Sequence, residues 1–165
     1  FSLGVCNGCQ TFSLLKSLIP GATNWPDFKR NKSEKFEARL VQVSVRESPS
    51  IFFKDMGDSI ITVPVAHGEG RVDGSFSDIS ELNNNHHTTI TYTDDKGRFT
   101  EDYPANPNGS LNGIAGVTNI SGTVTIMMPH PERAFLKDQY SWSPDEWTHY
   151  SPWIKFFNNA REFIN

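Results

Sequence analysis

Cysteine is scarce in this chain: there are two among 165 residues, and both fall in one run, Cys6-Asn7-Gly8-Cys9. Two cysteines placed so close together do not make the framework of a disulfide-stapled secreted domain. Long apolar runs are missing as well. None approaches the roughly 18 to 20 residues of a membrane-crossing helix, and Phe1 to Val5 is far too short for a signal peptide. Positive charge is not in excess: 15 Lys and Arg stand against 19 Asp and Glu, for a formal charge of −4, and no basic stripe or cluster is visible. The footprint with which nucleic-acid binders neutralise phosphates is therefore absent. These absences point to a soluble, cytoplasmic protein that has neither nucleic acid nor membrane as a partner. The length suits one domain with a real core, and repeats, low-complexity tracts and linkers are lacking.

What the chain does have is Gly4-Val5-Cys6-Asn7-Gly8. Gly-x-Cys-x-Gly is the pattern of a nucleophile held on a strained turn between a strand and a helix. The expectation is that a Cβ at Gly4 or Gly8 would collide with neighbouring backbone. The helix that follows would present free N–H groups and a positive dipole end to the sulfur, so Cys6 is expected to be partly ionised near neutral pH. Cys6 and Cys9 also spell Cys-x-x-Cys, which serves redox pairs and half-sites for zinc. Zinc would need two more ligands, and the histidines stand far off in sequence. The flanking glycines favour the turn, with Cys9 packed in the first helical turn.

Along the chain, Phe12, Leu14, Leu15, Leu18 and Ile19 predict a helix over Thr11 to Ile19, stopped by Pro20-Gly21. Asn24 to Lys35 reads as polar and turn-rich. Phe36 to Val45, Ile51 to Phe53 and Ile60 to Ala66 read as strands, and Pro64 marks the last of these as an edge or a bulge. His67-Gly68-Glu69-Gly70-Arg71 follows at a strand end. Its glycines suit close approach to a ligand or a plain loop equally. Ser75 to Asn85 is a helix or polar loop. Thr88 to Thr93 and Arg98 to Thr100 flank the hairpin signal Asp94-Asp95-Lys96-Gly97. Asn106-Pro107-Asn108-Gly109 is a loop. Ile114 to Ile120 and Thr123 to Met128 pair across Ser121-Gly122, and Pro152 to Phe163 is an amphipathic helix.

Met127-Met128-Pro129-His130-Pro131-Glu132-Arg133 closes the last strand with an imidazole and a carboxylate two residues apart. With the prolines holding the segment extended, both side chains point to one side. Glu132 would then accept the ring N–H of His130 while the other nitrogen faces a thiol, a Cys-His-Glu relay. A surface turn with an incidental histidine is the alternative.

Gly4-Val-Cys-Asn-Gly-Cys-Gln10, Pro64-Val-Ala-His-Gly-Glu-Gly-Arg71, Asn106-Pro-Asn-Gly-Ser110, Met127-Met-Pro-His-Pro-Glu-Arg133 and Ser151-Pro-Trp153 followed by Asn159-Ala-Arg161 run in order over essentially the whole chain. Together they resemble the C-terminal class I (triad) glutamine amidotransferase domain of phosphoribosylformylglycinamidine synthase, in its long single-chain form. The resemblance implies an α/β, flavodoxin-like three-layer sandwich. It implies Cys6 as nucleophile, His130 as base and Glu132 as its orienter, with Gln10, Gly68 and Glu69 along bound glutamine. It also implies that ammonia is delivered to an N-terminal synthetase domain of the same polypeptide, which uses ATP and Mg2+, with no metal or cofactor in this segment. The family's preceding strands and the Gly-rich segment that gives a second oxyanion N–H have no counterpart here. Residues 1–165 therefore read as the C-terminal part of one glutaminase domain, starting at the nucleophile strand, with the Asn7 N–H as its oxyanion donor and little activity in isolation. A cysteine hydrolase or peptidase on the same architecture, or a non-catalytic interaction domain, remains open from the residues alone.

Overall fold

The computed structural model describes residues 1–165, the side chain of Phe76 excepted. In chain order the elements are β1 (Ser2–Val5), α1 (Asn7–Leu14), β2 (Asp27–Arg30), β3 (Glu37–Val45), β4 (Ile60–His67), β5 (Glu69–Asp73), α2 (Phe76–Asn84), β6 (Thr88–Thr93), β7 (Ile114–Thr118), β8 (Val124–Met127) and α3 (Trp153–Glu162). Six strands form one mixed sheet in the order β1-β8-β7-β6-β3-β4, and β2 pairs with β5 in a small second sheet. Within the large sheet only β1 and β8 are parallel, in a register that sets Val5 beside Met127.

Strand alternation divides the core into two clusters, as the period of two requires. Val41, Val43, Val45, Tyr92, Met127, Trp153 and Phe156 fill one. Cys9, Trp25, Val72, Leu82, Ile126 and Met128 fill the other, beneath α1 and α2. Ile126 and Met127 thus face opposite layers, and the arrangement is an α/β sandwich with the sheet in the middle.

Four local readings need correction. The first helix begins at Asn7, directly after Cys6, and ends at Leu14, with a 3-10 turn at Lys16–Leu18. It buries Cys9 and Ser13, while Leu14 and Leu18 are 81% and 76% exposed. Phe12 and Ile19 do pack on the core, so it is the leucines that mark the wrong face. Ile51–Phe53 is a 3-10 turn, because Phe52 and Phe53 are drawn down onto α3, with the Phe52 and Phe156 rings stacked at 5.0 Å. The turn-rich stretch 24–35 contains β2, held by pairing with β5 rather than by its own polar sequence. Arg98 to Thr100 contributes one bridge, Thr93 to Phe99, and no strand.

Pro64 sits on an edge strand, as its missing N–H demands. That outer edge is covered by side chains and loop backbone instead of another strand. The Thr62 carbonyl accepts from Trp153 Nε1 and the Tyr140 hydroxyl, each at 2.9 Å, and the Pro64 carbonyl accepts the His130 N–H at 2.8 Å. Such covering removes an open pairing edge. It also places the His130 segment against the strand that ends at His67.

Candidate active site

Cys6 adopts φ 53° and ψ −110°, the left-handed half of conformational space, where a side chain is strained. Its N–H is tied to the Met127 carbonyl at 3.0 Å, and its carbonyl accepts the Gln10 N–H at 3.1 Å as α1 begins. The reversal is as tight as the glycine pattern predicts, but on one side only. A Cβ on Gly4 would lie 2.8 Å from the Gly8 carbonyl oxygen and 3.1 Å from Ile126 Cγ2, whereas one on Gly8 would meet nothing within 4 Å. Gly4 is required by sterics, and the expectation of a clash at Gly8 is withdrawn.

The expected ionisation of Cys6 is also overturned. Burial pushes the thiol above its ordinary value, and this outweighs the lowering by the Asn7 backbone N–H and the Arg133 guanidinium; Glu132 adds to the rise. The resting sulfur is thus protonated at neutral pH, and an adjacent base must take the proton for it to attack.

An imidazole stands beside it. His130 is buried, its Nδ1 lies 2.6 Å from Glu132 Oε1, and its Nε2 is buried with no partner. Burial tends to raise the Glu132 carboxyl, but its bond to His130, the backbone N–H and the charges of His130 and Arg133 bring it below the usual carboxylate range. The carboxylate accepts the Nδ1–H, so Nε2 is the nitrogen left to act. The i, i+2 contact is made by a 3-10 turn over Pro131–Arg133 and not by extended chain, the prolines bending the segment where they were expected to straighten it.

β1 and β4 are opposite ends of the large sheet, yet the sheet curls until Cys6, at the end of one, meets His67, at the end of the other. One nitrogen each from His67 and His130 and the Cys6 sulfur all lie within 4.8 Å of one another. His67 went unassigned among the expected site residues, and the premise that the histidines stand far from Cys6 holds in sequence and fails in space. The signal available was its place as the last residue of a β-branched strand. His67 is 4% exposed, its ring nitrogens are buried beside the Asn108 side-chain amide, and burial, only partly offset by that amide, holds its pKa down to about 4.

Cys6, Asn7, Gln10, His67, Gly68, Glu69, His130 and Arg133 line one open cavity of about 510 Å³, within the size range of small-ligand sites. Gln10 Nε2 donates to Glu69 Oε2 at 2.9 Å, so the two side chains form one wall. Glu132 stands behind His130. The Gly68 carbonyl is taken by the Asn31 N–H at 3.0 Å.

Beneath this wall runs a buried polar relay. Tyr92 donates its hydroxyl to Asn108 Oδ1 at 2.7 Å, Asn108 Nδ2 to Asn31 Oδ1 at 2.7 Å, and Asn31 Nδ2 to the His67 carbonyl at 2.9 Å. Ser110 Oγ reaches the Gly70 carbonyl and the Val72 N–H. The Asn106-to-Ser110 loop is thus a brace for the His67-to-Gly70 segment. Ser151 plays the same part behind His130, donating its hydroxyl to the Ala134 carbonyl at 2.5 Å. Cys9 is fully buried and does not line the cavity, and both cysteines are free thiols.

Comparison with known proteins agrees with this fold. The structure of PurLQS from Thermotoga maritima matches with a TM-score of 0.71 and 25% identity, over 99% of this chain and 61% of that one. A Thermoplasma acidophilum protein assigned to GMP synthase shares the fold, with a TM-score of 0.52 and 15% identity over 98% of this chain and 59% of the other. The chain thus spans about three fifths of the length of each. No described helix is long and apolar enough to cross a membrane. Residues 1–164 match the CobB/CobQ-like glutamine amidotransferase domain, and the chain belongs to that family.

Proposed function

We propose that the cavity hydrolyses the side-chain amide of glutamine and that the ammonia is passed to a synthetase domain making formylglycinamidine ribonucleotide. The observation that carries the first part is the strained Cys6 facing an unpartnered imidazole nitrogen whose ring is fixed by Glu132. The sulfur attacks the amide carbonyl as His130 Nε2 takes its proton, and a C–S bond forms while the carbonyl π pair moves onto oxygen. The Asn7 backbone N–H stands next to the sulfur and stabilises that oxyanion. The C–N bond then breaks, His130 returns the proton to the leaving nitrogen, and ammonia departs. Water, deprotonated by the same imidazole, opens the glutamyl thioester to glutamate and restores the thiol. Gln10, Gly68 and Glu69, in the same cavity, would lie along the bound glutamine. ATP and Mg2+ act in the synthetase domain, and no step here uses them.

The synthetase part of the reading rests on the likeness to PurLQS and on the five motifs that span the chain. It is tested in the full-length protein by supplying each nitrogen source in turn. Cys6→Ala should abolish synthesis from glutamine and leave synthesis from ammonium, because ammonium bypasses only the sulfur's step. Equal loss of both would make Cys6 structural.

A further inference from the structure

His67 has no part in the relay just described. The hydrolysis uses Cys6, His130 and Glu132, yet His67 places a third ligand-type atom within 4.8 Å of the Cys6 sulfur and the His130 nitrogen. His130 Nε2 is buried and unpartnered, and the His67 ring nitrogens are buried with the Asn108 side-chain amide beside the ring but no well-formed hydrogen bond. A buried polar atom left without a partner costs on the order of 1–3 kcal/mol, so a site that holds His130 Nε2 and a second imidazole nitrogen beside the thiol has a use for their lone pairs.

We propose that Cys6, His67 and His130 form a binding site for a borderline divalent cation, Zn2+ above all, and that filling it silences the thiol. One thiolate and two imidazoles are the donor set that zinc takes in tetrahedral sites with a fourth position open. Around such an ion the ligand atoms stand about 3.3 to 3.6 Å apart, so atoms already within 4.8 Å of one another have at most about 1.5 Å to close. The group that would orient one ligand is already in place. Glu132 Oε1, 2.6 Å from His130 Nδ1, makes the carboxylate–histidine–metal arrangement and leaves Nε2 as the ligand. The open side of the cavity provides the entry path and the fourth position. On binding, the Cys6 proton leaves to solvent, and the metal holds both the sulfur and the Nε2 lone pair. Neither attack nor proton transfer is then possible. The site needs only this geometry, so it stands or falls apart from the identity of the substrate.

The test uses the full-length protein, stripped with chelator and titrated with Zn2+ alone, reading the rate of Cys6 alkylation by iodoacetamide through peptide mass mapping. Micromolar Zn2+ should slow alkylation of Cys6 at least tenfold, with reversal by chelator. His67→Ala and His67→Gln should each raise the half-protecting concentration roughly tenfold or more, compared within each variant against its own metal-free rate. Cys9, fully buried, stays unlabelled while the fold is intact and so reports misfolding in the same digest. An unchanged half-protecting concentration in folded His67 variants would overturn the proposal, as would no protection of the wild type. Should both variants misfold, X-ray absorption at the zinc edge of wild type carrying one equivalent decides: one sulfur and two imidazole nitrogens among the ligands support the site, and any other set of protein ligands refutes it.

Discussion

Replacing Gly4 by alanine adds one methyl group, and the turn leaves no room for it. The new Cβ would stand 2.8 Å from the Gly8 carbonyl oxygen and 2.9 Å from its carbon, where ordinary contact begins near 3.4 Å. The elbow must open by the difference, 3.4 − 2.8 = 0.6 Å, and what yields is backbone, not a flexible side-chain end. Overpacking of this kind costs about 1–3 kcal/mol in stability. Because Cys6 lies between the two glycines, the opening also displaces the sulfur relative to His130, and a misplacement of about 1 Å can cost a hundredfold in rate. A loss of roughly ten- to a hundredfold in glutamine-dependent turnover is therefore expected, with ammonium-dependent turnover unchanged, measured at steady state in the full-length protein after denaturant titration of each variant. Gly8→Ala is the control. It puts a methyl into open space within α1 and should be neutral or stabilising by about 0.5–1 kcal/mol. Full glutamine-dependent activity in Gly4→Ala, or equal damage from Gly8→Ala, would refute the one-sided constraint.

Four other outcomes are expected. Glu132→Gln should reduce glutamine-dependent turnover less than His130→Ala does, since the carboxylate orients the imidazole without touching substrate; equal losses would give it a chemical role. A glutamine-shaped electrophile should label Cys6 and leave Cys9 intact, and excess glutamine should slow it; preferential Cys9 labelling would revive the redox pair. Alkylation of Cys6 in metal-free buffer should still be climbing at pH 9, because its pKa lies above the ordinary 9.0, and a plateau below pH 7 would mean a preformed thiolate. His67 has a folded pKa of about 4 against 6.5 for the free side chain, so the unfolded chain binds the extra proton between them: its contribution is complete above about pH 6.5 and falls away toward pH 4, by about 3 kcal/mol in all, and pH-dependent denaturation of His67→Gln should be correspondingly flatter.

How much of this was legible in the residues depended on the distance over which each is determined. The elbow was legible because its cause is local: Gly4, Cys6 and the helix start lie within a few residues, and φ, hydrogen bonds and sterics there follow from that run. The pairing of Ile114–Thr118 with Val124–Met127 and the edge position of Pro64 were legible for the same reason. The face of α1 was not. Leucines at helical spacing ordinarily mark the buried side, but α1 meets β1, β8 and β2 through the small Cys9 and Ser13, which let it approach closely. Likewise β2 exists only because β5 lies beside it, a partner some forty residues on.

Tertiary curling accounts for the remaining gap at the site. Glu132 was found next to His130 because two residues along one chain cannot separate, whatever backbone they adopt. Cys6 and His67 end strands at opposite edges of a six-stranded sheet, and only the twist of that sheet, with the His130 segment bonded to Pro64 as its clasp, carries them to one point. The state of the sulfur has the same origin. A helix start by itself favours a thiolate, whereas the closure that brings the two imidazoles up to Cys6 also strips it of water, and desolvation outweighs the local N–H. One fold event therefore brings two imidazoles up to the sulfur and, by the same burial, holds the thiol protonated.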